Sequence, residues 1–201
     1  MAGRVLPVST CLLLARQRAD IESASDRFPD SELLGYFNQG AAEWWDAIVA
    51  ARGEDYYEKS ATLTTTTATD YSLASTASDF YRMLEVKCTI NSNQVSLRRA
   101  TRREESVLLS PQPAWSGYPM AYRIFGNNLE GGGVTLRLLP APSTGQTITF
   151  YYLPVAPTYD LVTHTNVDGL DGWEEYPIEY CAMMAARARS RNSSLPSCAS
   201  T

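Results

Sequence analysis

The amino-acid sequence predicts an α+β fold: a small helical bundle of two N-terminal helices and a C-terminal helix, carrying an inserted antiparallel β-sheet or sandwich. Three observations predict it. In Asp30–Arg52, Leu34, Phe37, Ala41, Trp44 and Ile48 recur at spacings of three and four, which one face of an α-helix can present and a strand cannot. The middle of the chain carries short alternating runs separated by Gly- and Pro-rich turns. Residues 173–190 return to helical spacing, with Ile178, Ala182 and Ala185 on one face.

The first helix is expected over residues 10–23, with Ser9 or Thr10 as its cap and Leu14 and Ile21 on its apolar side. Residues 5–15 with Arg4 ahead only faintly resemble a signal peptide, because Pro7, Ser9 and Thr10 interrupt the apolar run. A polar connection ends in Phe28-Pro29, and Phe28 can staple the start of the second helix. That helix spans residues 30–52 and would be about 34 Å long at 1.5 Å per residue. Asp30 is placed to cap it, and Arg52 and Gly53 to end it. A short link between two helices favours an antiparallel pair.

Beyond Gly53 the chain turns toward β structure, with an insertion expected over about residues 57–155. Residues 58–70 are threonine-rich. Val86, Cys88 and Ile90 alternate, as do Val95 and Leu97. Gly126-Asn127-Asn128 and Gly131 to Gly133 read as turns around a strand at residues 134–139. The clearest strand is TITFYYL at 147–153, in which Ile148, Phe150 and Tyr152 point one way. The final helix, residues 173–190, tolerates Pro177 only in its first turn. Its alanines should receive the bulky Phe37/Trp44 stripe. A polar tail follows at 191–201. No linker divides the 201 residues, so a single domain is expected.

The chain has a formal charge of -5, which weighs against a general nucleic-acid binder. Cys11, Cys88, Cys181 and Cys198 are too scattered for a zinc site and are expected as reduced thiols. No apolar run reaches the roughly 18 residues that span a bilayer, so no membrane association is expected. His164 is the sole histidine and no GxSxG is present, so no catalytic constellation is legible. Asp168 and Asp171 hint at calcium, but Leu170 stands where an oxygen ligand is needed. Neither a metal nor a cofactor is expected.

Two arginine groups stand out. Arg98, Arg99, Arg102 and Arg103 could touch DNA or an acidic protein surface, set against a solvated strand end balanced by Glu104 and Glu105. Arg187, Arg189 and Arg191 complement the negative end of the last helix and could also dock a partner.

In order along the chain, LLGYFNQGAAEWWDAI, Tyr71-Ser72-Leu73, Asp79-Phe80-Tyr81-Arg82, Leu138-Leu139-Pro140, Phe150-Tyr151-Tyr152 and the Trp173-led alanine-rich helix resemble phage head-to-tail adaptor (connector) proteins over about residues 10–190. The resemblance implies a non-enzymatic virion protein at the neck, assembled in the host cytoplasm. It implies a ring, usually of twelve copies, beneath the portal protein. Such a ring extends the channel for genomic DNA without reading its sequence, and offers a surface to tail, nozzle or neck proteins. The segment from Arg187 onward would then reach toward the portal. The runner-up is a carbohydrate- or protein-binding β-sheet module of a phage tail or neck, using Trp115, Tyr118 and Tyr122. An enzyme built on His164, Asp168 or Asp171 is the third reading.

Overall fold

A computed structural model of the chain describes residues 6–21, 28–108, 117–126, 133–167 and 172–193. Its elements, in chain order, are β1 (Leu6–Pro7), α1 (Val8–Arg18), α2 (Asp30–Arg52), a 3-10 turn (Glu54–Tyr57), β2 (Lys59–Thr64), β3 (Asp70–Ser72), β4 (Phe80–Ile90), β5 (Asn93–Ser96), β6 (Arg98–Arg99), α3 (Arg102–Leu108), β7 (Ala121–Phe125), β8 (Thr135–Leu139), β9 (Thr147–Pro154), β10 (Asn166–Val167) and α4 (Glu175–Ser193). The fold is α+β, three longer helices and sheets whose strand pairs are antiparallel except for the short parallel pair β6–β7. The chain forms two compact units, Met1–Gly53 with Ala156–Thr201, and Glu54–Val155.

In the helical unit, α4 is the common partner of α1 and α2. Cys181 donates to the Leu33 carbonyl at 3.3 Å, Gly40 meets Pro177 and Tyr180, and Trp44 packs on Trp173 and Tyr176. Rising numbers on α2 meet falling numbers on α4, so the two helices run antiparallel. Phe37, Ala41, Ile178, Ala182 and Ala185 belong to one buried cluster with Leu12, Ala15 and Leu33, and Ile48 is buried as well. Leu34 and Trp44 pack against this cluster only partly buried, while their neighbours Leu33 and Trp45 are 0% and 6% exposed. One helical residue is 100° of arc, and the buried face is wide enough to turn the stripe by that much.

Helix α1 is shorter than the sequence suggests. It starts at Val8 after Pro7 and stops at Arg18. Asp20 takes a left-handed φ of 54°, its N–H reaches the Gln17 carbonyl, and the Ile21 N–H reaches that of Arg16. This is a Schellman end with aspartate in the place glycine usually holds, sealed by buried Ile21. Asp30 does not cap α2 either: Pro29 is the cap, and Asp30 is the first helical residue, paired with Arg16 at 2.8 Å. Arg16 also donates to the Phe28 carbonyl at 2.5 Å, and buried Phe28 lies in the core with Leu33, as a hydrophobic staple requires.

The segment after β9, which reads as a polar excursion, contributes to this core. Tyr159 is 1% exposed and meets Phe37 edge to face at 5.7 Å. Asn38 clamps it there: its amide donates to the Tyr159 carbonyl at 2.9 Å and its Oδ1 accepts the Tyr159 N–H at 2.8 Å. Further on, β10 pairs antiparallel with β1.

The other unit is a sandwich of two four-stranded sheets, ordered β2-β9-β4-β5 and β3-β8-β7-β6. Val86, Cys88, Ile148 and Phe150 from the first sheet share one core with Tyr122, Leu136 and Leu138 from the second. The register places Ala61 opposite Phe150 and Val86 opposite the same residue on the other side. Asn91 and Ser92, both with positive φ, form the two-residue turn between β4 and β5. The turns expected at Gly126-Asn127-Asn128 and Gly131 to Gly133 fall largely outside the described residues, although β7 and β8 pair antiparallel on either side of them. Trp115, Asp168, Asp171, most of the link before α2 and the tail from 194 also lie outside the described residues.

Candidate functional site

The arginines and glutamates around α3 are sorted by their partners. Thr101-Arg102-Arg103-Glu104 is a capping box. The Glu104 carboxylate accepts the Thr101 N–H at 2.9 Å and the Thr101 hydroxyl at 3.1 Å, while the Glu104 N–H reaches that hydroxyl at 3.3 Å. Arg98 adds an ion pair at 2.6 Å. The Thr101 backbone first, and Arg98 second, hold the Glu104 carboxyl down at about 2. Glu105 points inward, 7% exposed, and accepts from both Arg123 and Arg137. Arg137 also makes a two-pronged pair with Asp70, at 2.6 Å for each bond. These contacts lower the pKa of Glu105 and Asp70, the Arg137 hydrogen bond being the largest cause in each.

The expected balance of Arg98, Arg99, Arg102 and Arg103 by Glu104 and Glu105 is therefore not what the fold makes. Glu104 serves Thr101 and Arg98, and Glu105 serves two arginines from strands distant in sequence. Arg99, Arg102 and Arg103 are exposed and form no ion pair among the described residues. Arg99 and Arg102 border an open depression of about 400 Å³, floored by Ala100 and Ile124. The signal for the capping box, Thr-x-x-Glu, is in the sequence; the signal for Glu105 is not, since its partners come from β7 and β8.

A second surface lies on α4. Tyr176, Tyr180 and Met183 are spaced by four and three, on a different side of α4 from Ile178, Ala182 and Ala185, and Trp173 stands just before the helix. Trp173 is 56% exposed, Tyr176 39% and Met183 40%. Trp44 stacks against Trp173 at 5.0 Å and Tyr176 at 5.2 Å, and its buried indole nitrogen has no hydrogen-bond acceptor among the described residues. Thus α4 is apolar on two sides, one turned to the core and one to solvent. The core side, Ile178, Ala182 and Ala185, was readable in the sequence; the exposed aromatic side was not.

At the end of α4, Arg187, Arg189 and Arg191 are all exposed. Arg189 is engaged within the chain, donating to the Asp20 carbonyl at 2.6 Å and to its carboxylate at 3.2 Å. That bond ties α4 to the end of α1. His164 lies in a turn organised by Asp160, whose carboxylate accepts the N–H groups of Val162, Thr163 and His164. Its Nδ1 donates to the Thr158 carbonyl at 3.0 Å. Of the aromatics considered for a sugar, Tyr122 is 6% exposed and belongs to the sandwich core, and Tyr118 is open to solvent.

Among the described residues these surfaces are open and carry aromatic and arginine side chains, which suits binding to macromolecules. The family model named SU10 adaptor protein matches residues 12–194, running through both units. The chain belongs to the SU10 adaptor family. This adaptor is thus a bacteriophage structural protein of the head-to-tail adaptor type, a component of the virion that associates with other capsid or tail proteins. No curated protein matches the adaptor. None of its described helices is long and apolar enough to cross a membrane.

Proposed function

We propose that the adaptor works by assembly, as a closed ring beneath the portal at the capsid vertex. The ring extends the channel through which genomic DNA passes and presents the surface on which tail, nozzle or neck proteins attach. Twelve subunits is the number the resemblance implies. The observation that carries this reading is the family match over residues 12–194, which takes in the helical unit and the sandwich together. The end of α4, with Arg187 and Arg191, faces the portal, and the ridge of Arg98, Arg99, Arg102 and Arg103 meets either a protein partner or the passing DNA. Binding of DNA there is electrostatic and indifferent to sequence. A ring also gives the outward stripe of α4 a place to be buried, which one subunit alone does not provide.

Electron microscopy and mass measurement of the purified chain with purified portal protein test the proposal. Rings stacked coaxially on the portal are expected. A chain that stays monomeric and leaves the portal bare overturns it.

A further inference from the structure

An open cavity of about 380 Å³ lies on the sandwich, where the turn from β4 to β5 meets the segments that lead into β7 and β9. Its walls are pinned. Gln146 donates from Nε2 to the Gly117 carbonyl at 2.5 Å, and the Ser143 N–H reaches the same carbonyl at 2.8 Å. Thr65, 1% exposed, accepts the Gln146 N–H at 2.9 Å and donates to the Ser143 carbonyl at 2.6 Å. Gly117 has a φ of 96°, and a Cβ there would overlap the Ser143 Oγ, so this wall closes only around glycine. Tyr118, Thr89, Asn91, Ser143, Thr144 and Thr147 line the cavity, and their side chains make no hydrogen bond among the described residues. None of them carries a charge near neutral pH, nor do Gly145 and Gln146 beside them.

The lining selects the ligand. A phosphate or a carboxylate needs a cation to receive it, and an ammonium needs an acid; the cavity is lined by neither. Hydroxyls and a side-chain amide both donate and accept, as the vicinal hydroxyls of a sugar do. Tyr118, 44% exposed, adds a flat apolar ring of the kind that covers the C–H face of a pyranose while its own hydroxyl stays wet. The volume falls in the range of about 300–1,000 Å³ that small ligands occupy. The strand register carries the same chemistry onward: Thr64 opposes Thr147 and Thr62 opposes Thr149, on the side of β2 and β9 away from the core residues Ile148 and Phe150. A longer glycan leaving the cavity thus meets a row of hydroxyls. We propose that this cavity binds an uncharged carbohydrate, with Tyr118 as its stacking platform and Thr89, Asn91, Thr144 and Thr147 as its hydrogen-bonding groups. Tyr122, buried in the core, takes no part. The site lies wholly within the sandwich and stands apart from the ring reading.

The test applies the labelled full chain to an array of uncharged, sialylated and phosphorylated glycans, then titrates a retained uncharged glycan by saturation-transfer NMR. Uncharged glycans are retained, and high salt does not release them. Y118A raises the half-saturating concentration about tenfold, and T144V/T147V, which keeps shape and removes two hydroxyls, raises it about fivefold or more. Both variants melt like the parent, since the altered side chains are exposed. An array that retains no uncharged glycan overturns the site. Titrations that Y118A and T144V/T147V both leave at the parental value overturn it too, as does retention confined to charged glycans and lost in high salt.

Discussion

Gly40 of α2 lies against Tyr180 of α4, so closely that a Cβ on Gly40 would stand 2.9 Å from the Tyr180 Cβ and 3.1 Å from the Pro177 Cα. At this point of the seam the small residue is on α2 and the aromatic on α4, the reverse of the large-against-small arrangement the sequence suggests, whereas Phe37 does share its buried cluster with Ala182 and Ala185. Trp44, one turn along, meets the aromatics Trp173 and Tyr176 and not an alanine.

Gly40→Ala therefore destabilises the helical unit although alanine is the better helix former. Overpacking against backbone costs about 1–3 kcal/mol. Gly35→Ala, with nothing within 4 Å of the new Cβ, stabilises by about 0.5–1 kcal/mol. Urea unfolding followed by tryptophan fluorescence separates the two, and equal shifts in one direction would refute the close approach.

Asn38 holds Tyr159 by two hydrogen bonds to the same peptide segment. Asn38→Ala leaves both backbone groups without their partner and costs about 1–3 kcal/mol. Asn38→Asp keeps the acceptor for the Tyr159 N–H but loses the donor for its carbonyl. Hydrogen exchange at the Tyr159 amide should accelerate in Asn38→Ala and less so in Asn38→Asp.

Glu105 sits between Arg123 and Arg137, so Glu105→Gln strands two guanidiniums in a half-buried site. The loss is about 2 kcal/mol, between the values for exposed and buried pairs. Glu104→Gln instead frays the start of α3 and frees Arg98. A double-mutant cycle of Glu105 with Arg137 by denaturant titration checks that the cost is shared; additive single effects count against the pairing.

The sandwich loses stability at both pH extremes. Glu104, ordinarily at 4.5, is held at about 2, and Glu105 and Asp70 are also lowered. A lowered acid contributes stability that is complete above its unfolded value and lost as pH falls, here from about 4.5 toward 2. Tyr152, ordinarily at 10.0, is pushed up to about 12, by burial first and then by its hydrogen bond to Asp79. Its contribution is complete below pH 10 and lost as pH rises toward 12. Melting temperatures across pH show both limbs; Tyr152→Phe flattens the alkaline one and, by removing a hydrogen bond that helps lower the Asp79 pKa, also trims the acid one.

Two arginines at the end of α4, Arg187 and Arg189, separate by role. With the proposed portal contact at Arg187, the expected outcome for Arg187→Glu is portal binding weakened about tenfold with no change in melting. Arg189→Glu lowers the melting temperature as well, because Arg189 secures the left-handed end of α1 at Asp20. Calorimetry and portal binding on the same two variants test this split.

The sequence by itself determined what repeats within a few residues. The 3.6 period of residues 30–52 specified α2 to its last residue, the alternation in TITFYYL specified β9 and its buried side, and the helix of Ile178, Ala182 and Ala185 was legible as core. Tertiary structure decided every matter that depends on a distant partner. It chose Leu33 and Trp45 over Leu34 and Trp44 for full burial and drew Tyr159 out of a polar stretch onto Phe37. It gave Glu105 to strands 18 and 32 residues away, and so left Arg99, Arg102 and Arg103 without an ion pair among the described residues. The physical reason is range: backbone periodicity is set by neighbours in the chain, whereas burial and charge pairing are set by whichever segments packing brings together.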